Sequence, residues 1–237
     1  MKVVIVIPAY NEEKTIGGVV SVAKQFGKVI VINDASSDNT APMARKYGAT
    51  VISHAKNMGL GASIRDGFKE ALRNGADFVI TLDADGQHDP KDIPRLIEKL
   101  NESYDFVLGE RNLSRYPFTK KFGNFFLNLA TNLVSGTAIR DTESGFRAIK
   151  SEALKNFYLR AERYEIAVEI IFEVGKQKLK TANVPISSPV YVKGVGVLDG
   201  VKNFRYLIKR RKRNLKSYVD DFKYVAKNFI GAKSRRN

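Results

Sequence analysis

The 237-residue chain contains no cysteine. Disulfides and thiolate-bound zinc are therefore excluded, and any metal must rest on oxygen or imidazole ligands. Histidine is scarce as well. His54 and His88 are the only two, too few for a histidine-built metal site. Long hydrophobic runs are missing. The first apolar run, Val3 to Ile7, meets Pro8 at once and is too short for a secretory signal core. The longest uncharged run, Phe122 to Ile139, carries Asn124, Asn128, Asn132, two threonines, a serine and two glycines. That composition suits a buried or interfacial helix, not a membrane span. No internal repeat or low-complexity segment is present.

What is present fits one large α/β domain, or one domain with an appendage. Hydrophobic residues make up 43% and charged residues 27%, ordinary for a folded soluble chain. The net charge of +15 is unevenly placed. Residues 202–237 hold 13 Lys/Arg against Asp220 and Asp221, a net +11, which leaves +4 for the rest. The basic character thus belongs mainly to a C-terminal appendage.

Short β-branched runs alternate with helical segments over the first 110 residues. Val3–Ile7, Val29–Ile32, Thr50–Ser53, Phe78–Leu82 and Asp105–Leu108 read as strands. Residues 13–26, 40–47, 62–74 and 91–102 read as helices. This alternation argues a mostly parallel sheet with helices on both faces. Such sheets bind ligands at the carboxyl ends of their strands. The residues there are Tyr10-Asn11-Glu12, Asn33-Asp34, Asp83-Ala84-Asp85 and Glu110-Arg111. Beyond residue 140 come the polar loop Asp141–Gly145, a short strand near Arg147, a helix over 165–176 and a strand over 180–186. Residues 199–230 are helical in period.

Asp83 and Asp85 follow a buried apolar run, where carboxylates are costly without a cation. An oxygen-ligated Mg²⁺ or Mn²⁺ is the natural partner, bound through one or two carboxylates and bridging substrate phosphates. Gln87 offers an added amide oxygen. The competing role, an N-cap ahead of Pro90, belongs to Asp89. Asp34 suits a base or ribose, or a cap of the turn that follows, with Asp38 as N-cap of the next helix. The Asn57-Met58-Gly59-Leu60-Gly61-Ala62 stretch enters a helix. It suits either an anion at free N–H groups or close packing.

Together these pieces resemble the inverting family-two glycosyltransferases of the GT-A fold, most of all the branch of polyprenyl-phosphate sugar transferases. The matching segments are Ile7–Glu12, Asn33–Thr40, Asn57–Ala62, Asp83–Pro90, Gly109-x-Arg111 and Ser144–Arg147, in order over about residues 3–150. The resemblance implies a nucleoside cradle of Pro8, Ala9, Tyr10, Glu12, Ile32 and Asp34. It places Asp83 and Ala84 along the nucleotide, and the metal on Asp83, Asp85 and Gln87. Arg111, Arg147, Lys120 and Asn124 would face the acceptor phosphate. The chain departs from the family where Asn33-Asp34-Ala35-Ser36 replaces Asp-Asp-Gly-Ser, and where Tyr191 stands for an arginine, with Lys193 on the same strand face as its substitute.

The implied reaction is displacement at the sugar's anomeric carbon with inversion, from GDP-mannose, UDP-glucose or a similar donor to a polyprenyl or dolichyl phosphate. A hydroxyl acceptor needs a general base, whereas a lipid phosphate is already anionic. Asp85, Arg111 and Lys193 are the residues expected to matter most for turnover. A saccharide or protein acceptor is the alternative. A sugar nucleotidyltransferase is disfavoured, because Pro8–Glu12 lacks a glycine-rich basic start. The expected organisation is a catalytic domain over 1–198 and a basic amphipathic helical segment over 199–237. The basic segment suits an anionic membrane surface, or packing on its own domain. No motif supports nucleic-acid binding. The expected place is the cytoplasmic face of a membrane, peripherally bound.

Overall fold

The computed structural model describes residues 1–112, 118–187 and 205–206. Seven strands form one sheet. In chain order they are β1 (Val3–Ala9), β2 (Lys28–Asn33), β3 (Thr50–Ser53), β4 (Phe78–Thr81), β5 (Phe106–Arg111), β6 (Arg147–Lys150) and β7 (Thr181–Ile186). The spatial order is β3-β2-β1-β4-β6-β5-β7. All seven residues of β1 are buried, because helices cover both faces and no side of the strand meets water.

The helices are α1 (Ile16–Ala23), α2 (Thr40–Lys46), α3 (Leu60–Arg73), α4 (Ile93–Asn101), α5 (Phe118–Ser135), α6 (Ser151–Leu154) and α7 (Ile166–Lys176). One core layer joins α1, α2 and α4 to the sheet. The other joins α3, α6 and α7 to the opposite face. In α3 the buried positions Ile64, Gly67, Phe68 and Ala71 recur at spacings of three and four. A β-carbon at Gly67 would overlap Val6, so this glycine brings α3 down onto β1.

The sheet differs from an all-parallel one at β6. It lies between β4 and β5, antiparallel to both, and pairs Thr81 with Arg147 and Leu108 with Arg147. β5 and β7 run parallel to each other. The carboxyl ends of β1, β2, β4, β5 and β7 therefore share one edge with the beginning of β6. β5 also extends to Arg111, beyond the expected Leu108, because Arg111 pairs with Ile186.

Among the described residues no helix is long and apolar enough to cross a membrane. The uncharged run forms most of α5. Its Asn128 and Asn132 turn inward: Asn128 Oδ1 accepts from Thr142 N–H and Oγ1 at 2.8 and 2.7 Å, and Asn132 brackets Ile139 through both backbone groups. Phe125, Leu129 and Leu133 are exposed on the same helix. The expected helix over 199–230 lies outside the described residues apart from a helical pair at 205–206.

Candidate active site

The edge where the strands end is built by three segments with left-handed backbone: Asn11 (φ 56°), Ala35 (φ 59°) and Asp141 (φ 55°). Such a conformation costs an alanine about 1 kcal/mol, which explains why a glycine suits the position of Ala35. The loops after β1 and β2 are tied together. Asn11 Oδ1 accepts from Ser37 N–H at 2.8 Å, Glu12 N–H donates to Thr40 Oγ1 at 2.7 Å, and Asn39 N–H donates to Glu13 at 3.0 Å. Asn39 is the N-cap residue of α2, yet the capping carboxylate is that of Asp38, which accepts from Thr40 N–H at 3.0 Å.

Asp34 does not cap the turn that follows it; it is engaged by the loop before α3. Its buried carboxylate accepts from Met58 N–H at 2.7 Å and Gly59 N–H at 2.8 Å, and meets His54 Nδ1 at 2.7 Å. His54 reaches on through Nε2 to Asp66 of α3 at 3.3 Å. The anion held by the Asn57–Gly61 loop is thus the chain's own Asp34. The next amides are engaged too: Gly61 and Ala62 N–H donate to the Glu162 carbonyl at 2.8 and 3.4 Å. A β-carbon at Gly59 or Gly61 would overlap the backbone of residues 161–162. Of the two expected alternatives, close packing accounts for both glycines.

At the end of β4, Asp83, Asp85 and Glu12 share one acidic edge. The Glu12 carboxyl is raised above 4.5 by burial first, then by the charges of Asp85, Asp38 and Asp83, against a lowering hydrogen bond from Thr15. Asp85 accepts from Gln87 N–H at 3.0 Å and from Gln87 Nε2 at 2.5 Å. The Gln87 amide thus presents its nitrogen to Asp85, so a cation there would require the amide to turn round. Asp89 caps the following turn by accepting from Lys91 N–H at 3.0 Å, which leaves Asp83 and Asp85 out of that task, as expected. Among the described residues no three acidic or histidine side chains form a ready metal cage. Two hard carboxylates fit Mg²⁺ or Mn²⁺ when phosphate oxygens and water complete the shell.

The Ser144–Arg147 stretch lies against Asp83. Thr81 Oγ1 donates to the Gly145 carbonyl at 2.6 Å, and a β-carbon on Gly145 would overlap the Asp83 carboxylate itself. Phe146 meets His88 at 5.7 Å between ring centroids, and His88 Nδ1 lies 3.5 Å from Asp83 Oδ2. Burial holds the His88 pKa below 6.5, opposed by the charge of Asp83. Arg147 is buried at the start of β6, and its Nε and Nη2 make no hydrogen bond among the described residues. Burial lowers its pKa, while Asp83, Glu143 and Asp141 act to raise it. Gly145→Ala is expected to displace Asp83 and reduce turnover at least about a hundredfold, the scale for misplacing one group at a reacting centre. The thermal midpoint should move little, since the clash falls on a half-exposed carboxylate. Assays and melting curves on one preparation check both.

Arg111 is engaged differently from the expectation that it faces a phosphate. Its Nε and Nη2 fork onto Asp141 at 2.7 Å each, and its own N–H donates to Asp141 at 3.1 Å. Asp141, nearly fully buried, is a site residue that the sequence reading did not single out. Its only signal was its place three residues before Ser144. Asp141→Ala is expected to destabilise the protein by about 3–5 kcal/mol, the cost of stranding one member of a buried ion pair. Urea unfolding would measure it.

Pro8 and Ala9 are buried at the end of β1, Ile32 is buried in β2, Ala84 is buried between the two aspartates, and Tyr10 stands half exposed beside them. The structure therefore brings Pro8, Ala9, Tyr10, Glu12, Ile32, Asp34, Asp83, Ala84, Asp85, Gln87, Arg111 and Arg147 to one sheet edge. The side chains of Lys120 and Asn124, and all of Tyr191 and Lys193, lie outside the described residues.

A mixed sheet with this strand order and an acidic pair at the end of its central strand fits the GT-A fold of glycosyltransferases. The chain belongs to glycosyl transferase family 2, whose family model matches residues 4–157. It is 35% identical to the UDP-N-acetylglucosamine–dolichyl-phosphate N-acetylglucosaminyltransferase of Methanococcus voltae, over 86% of this chain and 94% of that one. It is 30% identical to the dolichol-phosphate mannosyltransferase of Pyrococcus furiosus, over 87% of this chain and 62% of the relative. Its fold matches glucosyl-3-phosphoglycerate synthase from Mycobacterium tuberculosis, solved with Mn²⁺, UDP and glucosyl-3-phosphoglycerate, at a TM-score of 0.67 and 21% identity. That match covers 87% of this chain and 77% of the other.

Proposed function

We propose that the protein transfers a sugar from a nucleotide-sugar donor to a polyprenyl or dolichyl phosphate, with inversion at the anomeric carbon and with Mg²⁺ or Mn²⁺ bound. The observation that carries this reading is the pairing, at one sheet edge, of the Asp83–Asp85 acids with Arg147, a buried guanidinium whose Nε and Nη2 make no hydrogen bond among the described residues. An anionic leaving group and an anionic acceptor both need such positive charge nearby, and relatives over most of the chain carry names of dolichyl-phosphate transferases.

Asp83 and Asp85 would hold the metal, with Gln87 reoriented. Bound there, a divalent cation would neutralise charge on a departing diphosphate. Pro8, Ala9, Tyr10, Glu12 and Ile32 line the nucleoside side, and Asp34 shapes that side from behind by fixing Met58 and Gly59. Arg147 offers its buried charge to an anion at the Asp83 side. Arg111 acts with Asp141 as a braced wall. Lys120, Asn124 and Lys193 are assigned to the acceptor phosphate. No general base is needed for such an acceptor, because its phosphate oxygen is already anionic. The basic segment over 199–237 rests on the anionic cytoplasmic face of a membrane, where polybasic helices gain electrostatic attraction.

The test offers GDP-mannose, UDP-glucose and UDP-N-acetylglucosamine, each with polyprenyl phosphate and Mn²⁺, and looks for a mild-acid-labile glycolipid. One donor is expected to give it, and chelation to abolish it. Product only with a saccharide or peptide acceptor overturns the lipid reading.

A further inference from the structure

Glu169 lies in α7, on the face of the sheet that also carries α3, and is fully buried. A buried carboxylate is tolerated only where donors surround it. Here Oε2 accepts from Arg160 N–H and Ala161 N–H, both at 2.8 Å, and Oε1 accepts from the Tyr206 hydroxyl at 2.6 Å. The Tyr206 ring packs against the core layer that contains α3 and α7. One carboxylate therefore joins three parts of the chain: α7, the strap over 160–162, and the C-terminal segment.

The strap is in turn the support of the donor-side loop. The Glu162 carbonyl accepts from Gly61 and Ala62 N–H, and the Arg65 guanidinium of α3 donates to the Ala161 carbonyl. Gly59 and Gly61 have no room for a β-carbon because the strap is so close. Two residues earlier, Met58 and Gly59 hang on Asp34 at the end of β2. A continuous series of charge-assisted and backbone hydrogen bonds thus runs from Tyr206 to Asp34. Hydrogen bonds to a buried carboxylate are the strong members of such a series.

We propose that Glu169 and Tyr206 are positioning residues for the donor side of the site. By clamping the 160–162 strap they set the start of α3, and through it the Asp34 loop. Tyr206 is then part of the donor site's framework, although it lies far along the chain from every other residue of the site. The donor side is that of the proposed glycosyl transfer, and the inference rests on that reading for its functional half.

The test uses the full-length chain and two shape-conserving variants, Tyr206→Phe and Glu169→Gln. Amide hydrogen exchange without any ligand is the first arm. Exchange at residues 58–62 is expected to rise about tenfold or more in both variants, as for local opening after loss of a buried charged hydrogen bond. Amides of β2 and α4 should stay as in the parent. The second arm measures the donor KM against kcat in the transfer assay, with UDP and GDP binding in Mn²⁺ alongside. A several-fold rise in KM with kcat nearly kept is expected. Faster exchange confined to residues 160–161 and 205–206, or spread evenly through the domain, overturns the proposal, as does an unchanged KM. A parent protein that binds neither nucleotide overturns the functional reading instead, and leaves the exchange result to decide whether the clamp exists.

Discussion

Asp85→Ala is expected to lower the rate of sugar transfer by on the order of 10³-fold, the scale seen when one preorganised electrostatic contact to developing charge is removed. The fold should survive. The hydrogen bonds to the Asp85 side chain come from Gln87, two residues away, so unfolding free energy should change by no more than about 0.5 kcal/mol. One acid fewer also relieves its neighbours. The Asp85 charge is among the causes that raise the Glu12 carboxyl, so Glu12 should titrate closer to its ordinary value in the variant. A carboxylate raised in the folded state stabilises the fold below its unfolded pKa, and that stabilisation is lost as pH rises through the folded pKa. The variant should show less of this loss at neutral pH. Added Mn²⁺ should raise the melting temperature of the parent in the presence of UDP or GDP and leave the variant unmoved. Near-parental turnover in Asp85→Ala would remove the metal from the mechanism.

The largest expected loss of stability from a single methyl group is at Gly175. A β-carbon there would overlap the Ser135 carbonyl oxygen and lie 2.7 Å from its carbon and 3.2 Å from the Ser135 β-carbon. The contact is backbone on backbone, so no flexible side chain can swing away. Nor is α5 free to retreat. Asn132 holds Ile139 through both its amide atoms, Asn128 holds Thr142, and Ser135 Oγ donates to the Thr131 carbonyl at 2.7 Å. Gly175→Ala should therefore destabilise by about 3 kcal/mol, the upper part of the range for overpacked cores. Because Thr142 follows Asp141 directly, activity should fall with it. Gly18→Ala is the matched control. Gly18 lies in α1 with open space where its β-carbon would go, and alanine there should stabilise by about 1 kcal/mol. Opposite signs in one set of urea curves are the expected result.

β1, β2 and β4 were legible because each is a run of buried, mostly β-branched residues, and buried parallel strands need no alternation; β3, half-buried at the sheet edge, gave the weaker signal. The acids of the β4 end were legible because they follow such a run directly. β6 was visible only as a short strand. Arg-Ala-Ile-Lys carries a charge at each end, and nothing local tells that it inserts between β4 and β5 with reversed direction. The Arg111–Asp141 pair spans 30 residues and the Asp34–Gly59 bond 25. Such partners leave no periodic trace, so the bonds of Asp34 to Met58 and Gly59 could not be foreseen. The glycines at 59 and 61 left two readings open for a related reason. A free helix start and a crowded one share the same residues, and only the strap over 160–162 tells them apart.

The reversed strand also sets the order in which the molecule can be completed. β4 and β5 are neighbours in sequence but not in the sheet, so each has an open edge until residues 147–150 have been made and slotted between them. Open strand edges invite pairing with other chains, and long-range pairing forms slowly. During synthesis the half-sheet is therefore the species most exposed to aggregation. The same insertion delivers Arg147 to the side of Asp83, so acid and counter-charge meet in a single late step. A chain that stops before residue 147 has the loops after β1, β2 and β4 but lacks this charge balance.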